Sequence, residues 1–156
     1  MIKFDVPGRG VFQIEHLVLD VNGTLACDGQ LLDGVAPRNE ALRQRVDVWL
    51  LTADTHGKQH VVDAQLNLEA TRITRKHAAS QKADFVRGLC AETVCAIGNG
   101  AIDAGMLAEA RLAITVVGPE GLAVEALQAA DIVVGDINTA LDLLIHTQRV
   151  VATLRK

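Results

Sequence analysis

The chain has 156 residues, of which 49% are hydrophobic, 22% charged and 3% aromatic, with no tyrosine and a formal net charge of −4. That length fits one domain, spanning 1–156, able to bury a continuous aliphatic core. The acidic balance and four scattered aromatics (Phe4, Phe12, Trp49, Phe85) exclude the basic footprint and stacking platform of a nucleic-acid binder. No apolar run reaches membrane-span length, Met1 to Asp5 lacks the layout of a signal peptide, and three cysteines form no disulfide framework, so a cytoplasmic protein is expected.

Apolar runs and turn signals alternate from the start. A short strand is predicted at 11–14 and a strong one at 16–21, followed at 24–32 by a hairpin turning on Asp28-Gly29. Pro37 opens a short helix over 39–45. A strand at 46–52 leads to a helix at 58–66, with Val61, Val62 and Leu66 inward, and a weak strand at 71–74. Ser80 N-caps a helix over 80–89. Strand 93–97, helix 102–110, strand 112–117, helix 122–129, strand 131–134 and a long helix over 138–154 complete the chain. This alternation implies βαβ crossovers and a mostly parallel sheet in a three-layer α/β fold.

Four features fall at predicted strand ends or helix starts: Asp20 with Asn22 and Thr24; Thr52; Lys82; and Gly98-Asn99-Gly100-Ala101-Ile102-Asp103. In an open α/β sheet the carboxyl ends of the strands are where ligands bind. A carboxylate there serves as a nucleophile, a metal ligand or both. These residue types suit phosphoryl transfer. Asp20 would attack phosphorus, Thr52 and Lys82 would hold the phosphoryl oxygens, and Asp103 would hold Mg²⁺. A lysine in the first turn of a helix opposes the helix dipole, which is an independent hint of function. Each residue also has a plain reading: Asp20 as a turn residue, Thr52 as a helix cap, Lys82 as a solvated side chain, Asp103 as a helix-start acid.

Their order resembles the haloacid dehalogenase (HAD) superfamily, and most closely its small soluble relatives of the P-type ATPase phosphorylation domain. The motif Asp-x-(Asp/Thr)-Gly-Thr after a hydrophobic strand is matched by 17–24, the strand-end Ser/Thr by Thr52 and the helix-start lysine by Lys82. The Gly-Asp-Gly-x-Asn-Asp loop is matched in part by 98–103. The resemblance implies a Mg²⁺-dependent phosphatase on a Rossmann-like HAD sheet. The 24–32 hairpin would be its flap, with no cap domain and an open site for a phosphorylated small molecule or macromolecule, or one covered by neighbouring subunits in a homo-oligomer. Catalytic residues would be Asp20, Asn22, Thr52 and Lys82. Substrate would meet Gly23, Thr24, Thr52, Ala53 and Lys82. Mg²⁺ would be held by Asp20, the Asn22 carbonyl, Asn99 and Asp103.

Two departures matter: Asn22 replaces the family's acid/base Asp, and Asn99 replaces a metal-binding Asp. The expected consequence is slow turnover and weak Mg²⁺ affinity, or a weakened HAD domain serving as a phosphate-binding or regulatory module. A nucleotide-binding α/β domain is disfavoured, because neither GxGxxG nor GxxxxGK[ST] is present. His56 and His60, four apart, are weighed as a site-mouth pair, and Cys95 is read as a structural thiol. Asp131, Asp136 and Asp142 are read as turn, cap and solvated acids.

Overall fold

The computed structural model describes residues 1–53 and 57–156. The chain begins with an antiparallel hairpin, β1 (Ile2–Val6) and β2 (Gly10–Ile14), in register from Ile2↔Ile14 to Val6↔Gly10. Strand β3 (His16–Asp20) follows, then β4 (Ala26–Cys27) and β5 (Gln30–Leu31), which pair Cys27↔Gln30 around the expected Asp28-Gly29 turn. Both turn residues have positive φ, 52° and 78°, as a two-residue turn matched to strand twist requires.

Next come α1 (Val35–Arg43), β6 (Asp47–Thr52), α2 (Gln59–Leu66), β7 (Thr71–Arg72) and α3 (Ala78–Gly88). The remainder is β8 (Val94–Gly98), α4 (Ala104–Glu109), β9 (Leu112–Val116), α5 (Val124–Ala129), β10 (Ile132–Val134), α6 (Ile137–Ile145) and α7 (Gln148–Leu154).

Six strands form one parallel sheet in the order β10-β9-β8-β3-β6-β7. Strands β8 and β9 are buried at every position, and β3 at all but its first, because helices cover both faces; this is why they read as unbroken apolar runs. Alternation along β3 sends Leu17 and Leu19 into one core, with Cys95, Ile97, Ile114 and Leu141, and Val18 into the other, with Val86, Ala96, Met106 and Leu107. The first core packs α1, α2, α6, α7 and the N-terminal hairpin; the second packs α3, α4 and α5. Among the described residues no helix is long and apolar enough to cross a membrane.

The structure corrects several boundaries. Strand β1, unread in the sequence, alternates buried and exposed residues and packs against α7. Helix α1 begins at Val35, ahead of Pro37, so the proline sits in the first turn. Val61 is exposed, whereas Val62 and Leu66 are buried as expected. The long final helix is two, broken at His146 and Thr147. Asp136 caps α6 as read, accepting from the Thr139 N–H at 2.9 Å. Asp142 is not a solvated acid: it takes a two-pronged bond from Arg38 at 2.8 and 3.2 Å, tying α6 to α1.

Where α4 crosses α3, Gly105 lets the helices approach. A Cβ at that position would lie 3.2 Å from the Ala83 Cβ, one residue from Lys82. Gly105→Leu is expected to lower stability by about 1–3 kcal/mol through overpacking. For Gly105→Ala the squeeze is offset by a helix-propensity gain of up to about 1 kcal/mol, leaving it near neutral. Urea midpoints of the two variants check this.

Candidate functional site

Strand β3 has β6 on one side and β8 on the other, so successive connections leave it in opposite directions. The crevice at such a switch point, beyond the carboxyl ends of the strands, is the natural ligand site of an open α/β sheet. Asp20 ends β3, Thr52 ends β6 and Gly98 ends β8, which brings three of the sequence features together there.

The fourth, Lys82, arrives from α3. The helix starts at Ala78, preceded by a 3-10 turn over Arg75–His77, and Ser80 is not its cap: its hydroxyl donates to the His77 carbonyl at 3.1 Å. Lys82 therefore lies in the second turn, and it is fully buried rather than solvated. Its ammonium donates to Asp20 Oδ1 at 2.5 Å and to Asp103 Oδ1 at 2.6 Å.

The other carboxylate oxygens are also engaged. Asp103 Oδ2 accepts from the Asn99 and Gly100 backbone N–H groups at 3.0 and 2.9 Å, closing the loop after β8 around the carboxylate. Gly98 makes room, since a Cβ there would stand 2.7 Å from the Asp103 carboxyl. The Gly98 carbonyl accepts from the buried Thr115 hydroxyl at 2.7 Å, fixing the strand end from β9. The Thr24 hydroxyl is 3.1 Å from both Asp20 Oδ2 and Asn99 Oδ1, yet has a single proton to donate. Asn22 Nδ2 donates to Thr52 Oγ1 at 3.4 Å.

Electrostatically the centre is two carboxylates around one ammonium. Burial, then repulsion from Asp103, push Asp20 up to about 6 against the pull of Lys82 and Thr24. Burial pulls Lys82 down, but Asp20 and Asp103 outweigh it and hold the ammonium above its ordinary 10.5. Lys82 is charged at neutral pH.

A cavity of about 560 Å³ opens beside this centre, lined by Asp20, Asn22, Ala53, Asn99, Gly100, Ile102, Asp103 and the 120–123 segment. Of the residues singled out in the sequence, Asp20, Asn22, Ala53, Asn99 and Asp103 line it, whereas Gly23, Thr24, Thr52 and Lys82 stand behind its wall. His56 lies outside the described residues, and His60 is exposed on α2. Cys95 is buried in β8, a structural thiol as expected.

The donors facing the cavity are hard oxygens, the class that magnesium takes. An amide and a shared hydroxyl proton leave oxygens of Asp20 and Asn99 for a cation, and the centre's excess of one negative charge favours it. Among the described residues no group of three or more His, Cys, Asp or Glu is placed to hold a metal directly. The donor set is thus two carboxylates supplemented by neutral oxygens, and on that chemistry it fits Mg²⁺.

The sequence reading missed the turn after β9. Gly118 there touches the strand-end turn so closely that a Cβ would be 2.2 Å from the Gly23 carbonyl oxygen, and Glu120 sits beside Gly23 and Asn99. Its signal was a Gly-Pro-Glu-Gly turn directly after a buried strand.

No protein-family model matches the chain. Solved structures with the same fold include the cobalt-bound deoxy-D-mannose-octulosonate 8-phosphate phosphatase from Haemophilus influenzae. It matches at TM-score 0.71 and 17% identity over 88% of this chain and 90% of that one. The 3-deoxy-D-manno-octulosonate 8-phosphate phosphatase from Moraxella catarrhalis, in complex with magnesium, phosphate and KDO, matches at 0.66 and 17% over 91% and 94%. Phosphoserine phosphatase in its apo form matches at 0.65 and 13% over 86% and 99%. The chain shares the fold of these phosphatases, with a two-stranded hairpin following β3. In sequence it is 48% identical over 62 residues to the uncharacterized protein MJ0073 of Methanocaldococcus jannaschii, covering 40% of this chain and 67% of that one, and it belongs to that protein's family.

Removing Lys82 would leave two buried carboxylates facing each other. Lys82→Met is expected to cost about 3–5 kcal/mol near neutral pH, as for a buried ion pair robbed of one partner. The wild-type lysine contributes fully there, because its pKa lies above 10.5. Without Lys82 the pull that lowers Asp20 is gone, so the variant takes up its proton above the wild-type value of about 6; the penalty should shrink as pH falls toward about 6 and level off below it. Denaturant melts of both proteins across this range test the sign.

Proposed function

We propose that the chain is a single-domain, cytoplasmic, P-type ATPase-like phosphatase of the HAD type. It would hydrolyse a phosphate monoester slowly, through an aspartyl-phosphate at Asp20. The observation that carries this reading is the buried Lys82 joining Asp20 to Asp103 at the switch point of the sheet, directly behind the cavity wall that those two carboxylates line.

An Asp20 carboxylate oxygen attacks phosphorus and the bond to the leaving oxygen breaks. Lys82 has a third proton beyond the two given to Asp20 and Asp103, and it and Thr52 offset charge on the phosphoryl oxygens. Mg²⁺, held by Asp20, the Asn22 carbonyl, Asn99 and Asp103, would supply Lewis-acid stabilisation of phosphoryl charge. The leaving oxygen must take its proton from water, because an amide at Asn22 has no titratable proton to give. Water then attacks the aspartyl-phosphate without a base at that position, which restores Asp20 and releases phosphate. The Asn22 amide instead bonds Thr52 and so helps to position it. Support for the substrate class comes from the neighbours' names, which are phosphatases of small phosphorylated molecules.

The deciding measurement is Mg²⁺-dependent hydrolysis of p-nitrophenyl phosphate. Wild type should exceed Asp20→Asn, and Asn22→Asp should raise the rate, with about 10²–10⁴-fold as the reach of general acid–base catalysis. A wild-type rate equal to that of Asp20→Asn, with no beryllofluoride capture at Asp20, would identify a phosphate-binding regulatory module instead. An unchanged rate in Asn22→Asp would remove the acid/base explanation of slow turnover.

A further inference from the structure

The turn after β9 is bound to the cation side of the site. Asn99 uses both ends of its side chain and its backbone to do this. Its Oδ1 lies 3.1 Å from the Thr24 hydroxyl, its Nδ2 donates to the Gly121 carbonyl at 3.1 Å, and its carbonyl accepts from the Ala123 N–H at 2.9 Å. The turn is closed by the Gly121 N–H donating to the Gly118 carbonyl at 2.9 Å, and Gly118 is pressed against the Gly23 carbonyl.

Between those two glycines stands Glu120, whose Oε2 lies 2.6 Å from where a Gly23 Cβ would be. Asn99 Nδ2 lies 2.9 Å from the same point. The carboxylate therefore occupies the space that only a glycine at 23 leaves open, and it shares the cavity wall with Asp20, Asn22, Asn99 and Asp103.

We propose that Glu120 supplies, as an outer-sphere carboxylate, the negative charge that Asn99 withholds from the cation site. This rests on the Mg²⁺-dependent reading above. Three observations favour it. Asn99 is committed as an amide: a carboxylate in its place would set an oxygen against the Gly121 carbonyl and lose the clamp on the turn. The residue that loses the charge is thus the one that holds the turn carrying a replacement charge. Glu120 also lies outside the direct donor set, since among the described residues no third acidic group is placed with Asp20 and Asp103 to hold a metal, and magnesium characteristically keeps several waters through which outer carboxylates act. Finally, its charge is felt locally: after burial and Asp28, Glu120 helps to push the Cys27 thiol of the flap up.

The test is Mg²⁺ titration of the full chain by calorimetry, repeated with Mn²⁺ by paramagnetic relaxation, without substrate. Glu120→Gln should weaken both affinities about tenfold or more, the effect expected of an outer-shell partner. Glu125→Gln, an exposed charge removed from the neighbouring α5, should change them less than twofold. Asp20→Asn should abolish the same binding event. Equal weakening by Glu120→Gln and Glu125→Gln would overturn the proposal in favour of long-range charge. Unchanged affinity with slower hydrolysis would overturn it in favour of a proton-transfer role. Hydrolysis by wild type with Glu120-independent binding sinks this inference and leaves the phosphatase reading standing. Glu120-dependent binding without Asp20-dependent hydrolysis does the reverse. No Mg²⁺ binding by wild type overturns both.

Discussion

An ammonium taken fully out of water must be compensated on every side, and Lys82 makes that demand of the surrounding fold. Its compensation is two carboxylates from neighbouring strands' carboxyl ends, Asp20 closing β3 and Asp103 in the loop after β8. Desolvation alone would cost several kcal/mol per ion, so the contact is tolerable only with short distances and the remaining lone pairs satisfied. The backbone N–H groups of Asn99 and Gly100, the Thr24 hydroxyl and the bare α-carbon of Gly98 are arranged to meet that condition. The close α3–α4 approach at Gly105 brings the lysine to depth from the opposite layer. The ion triad thereby links the carboxyl edge of the sheet to one helical face.

From this centre the geometry passes outward through Asn99. Its backbone N–H serves Asp103, its amide oxygen faces Thr24, and its amide nitrogen and carbonyl hold the turn from β9. A single side chain with both a donor and an acceptor can do this; a carboxylate, accepting only, cannot. The replacement at this position is therefore a change in what the loop grips as well as a loss of charge.

How much of this could be read from the chain follows from where each signal is generated. Strands β3, β8 and β9 are covered on both faces, and their apolar runs were legible for that reason. The flap was legible because Asp28-Gly29 encodes its own turn. Asp20 and Thr52 could be placed at the crevice because strand ends are visible in sequence, and Asp103 because Gly98-Asn99-Gly100 marks the loop that follows one. Lys82 was found by position but misread in setting. A Ser two residues ahead suggested a cap, whereas the helix start is set by a preceding 3-10 turn and the burial by α4, neither of which has a local signature. The break between α6 and α7 was hidden because apolar periodicity continues across it. Glu120 was invisible for a different reason: its importance comes from a backbone contact between residues 23 and 118, far apart in sequence.

The two amides also bear on the stability of the protein without a bound cation. With aspartates at 22 and 99 the buried centre would carry four carboxylates against one ammonium, with Glu120 a fifth on the cavity wall, and burial with repulsion from Asp103 already lifts Asp20 to about 6. Each further carboxylate would raise its neighbours again, so the metal-free fold would have to hold protons or lose stability at neutral pH. Asparagine keeps the shape and hydrogen bonding of aspartate while removing that repulsion. The same substitutions remove the proton donor and one ligand charge, so turnover and apo-state stability pull in opposite directions at these positions. On the proposed Mg²⁺-dependent reading the balance would lie toward a centre that is stable without metal, and cation affinity would have to come from groups that do not crowd Lys82. Under the same proposal a carboxylate set back on the 118–121 turn would meet that requirement, because it adds charge on the cavity wall at an exposed position rather than at the buried floor.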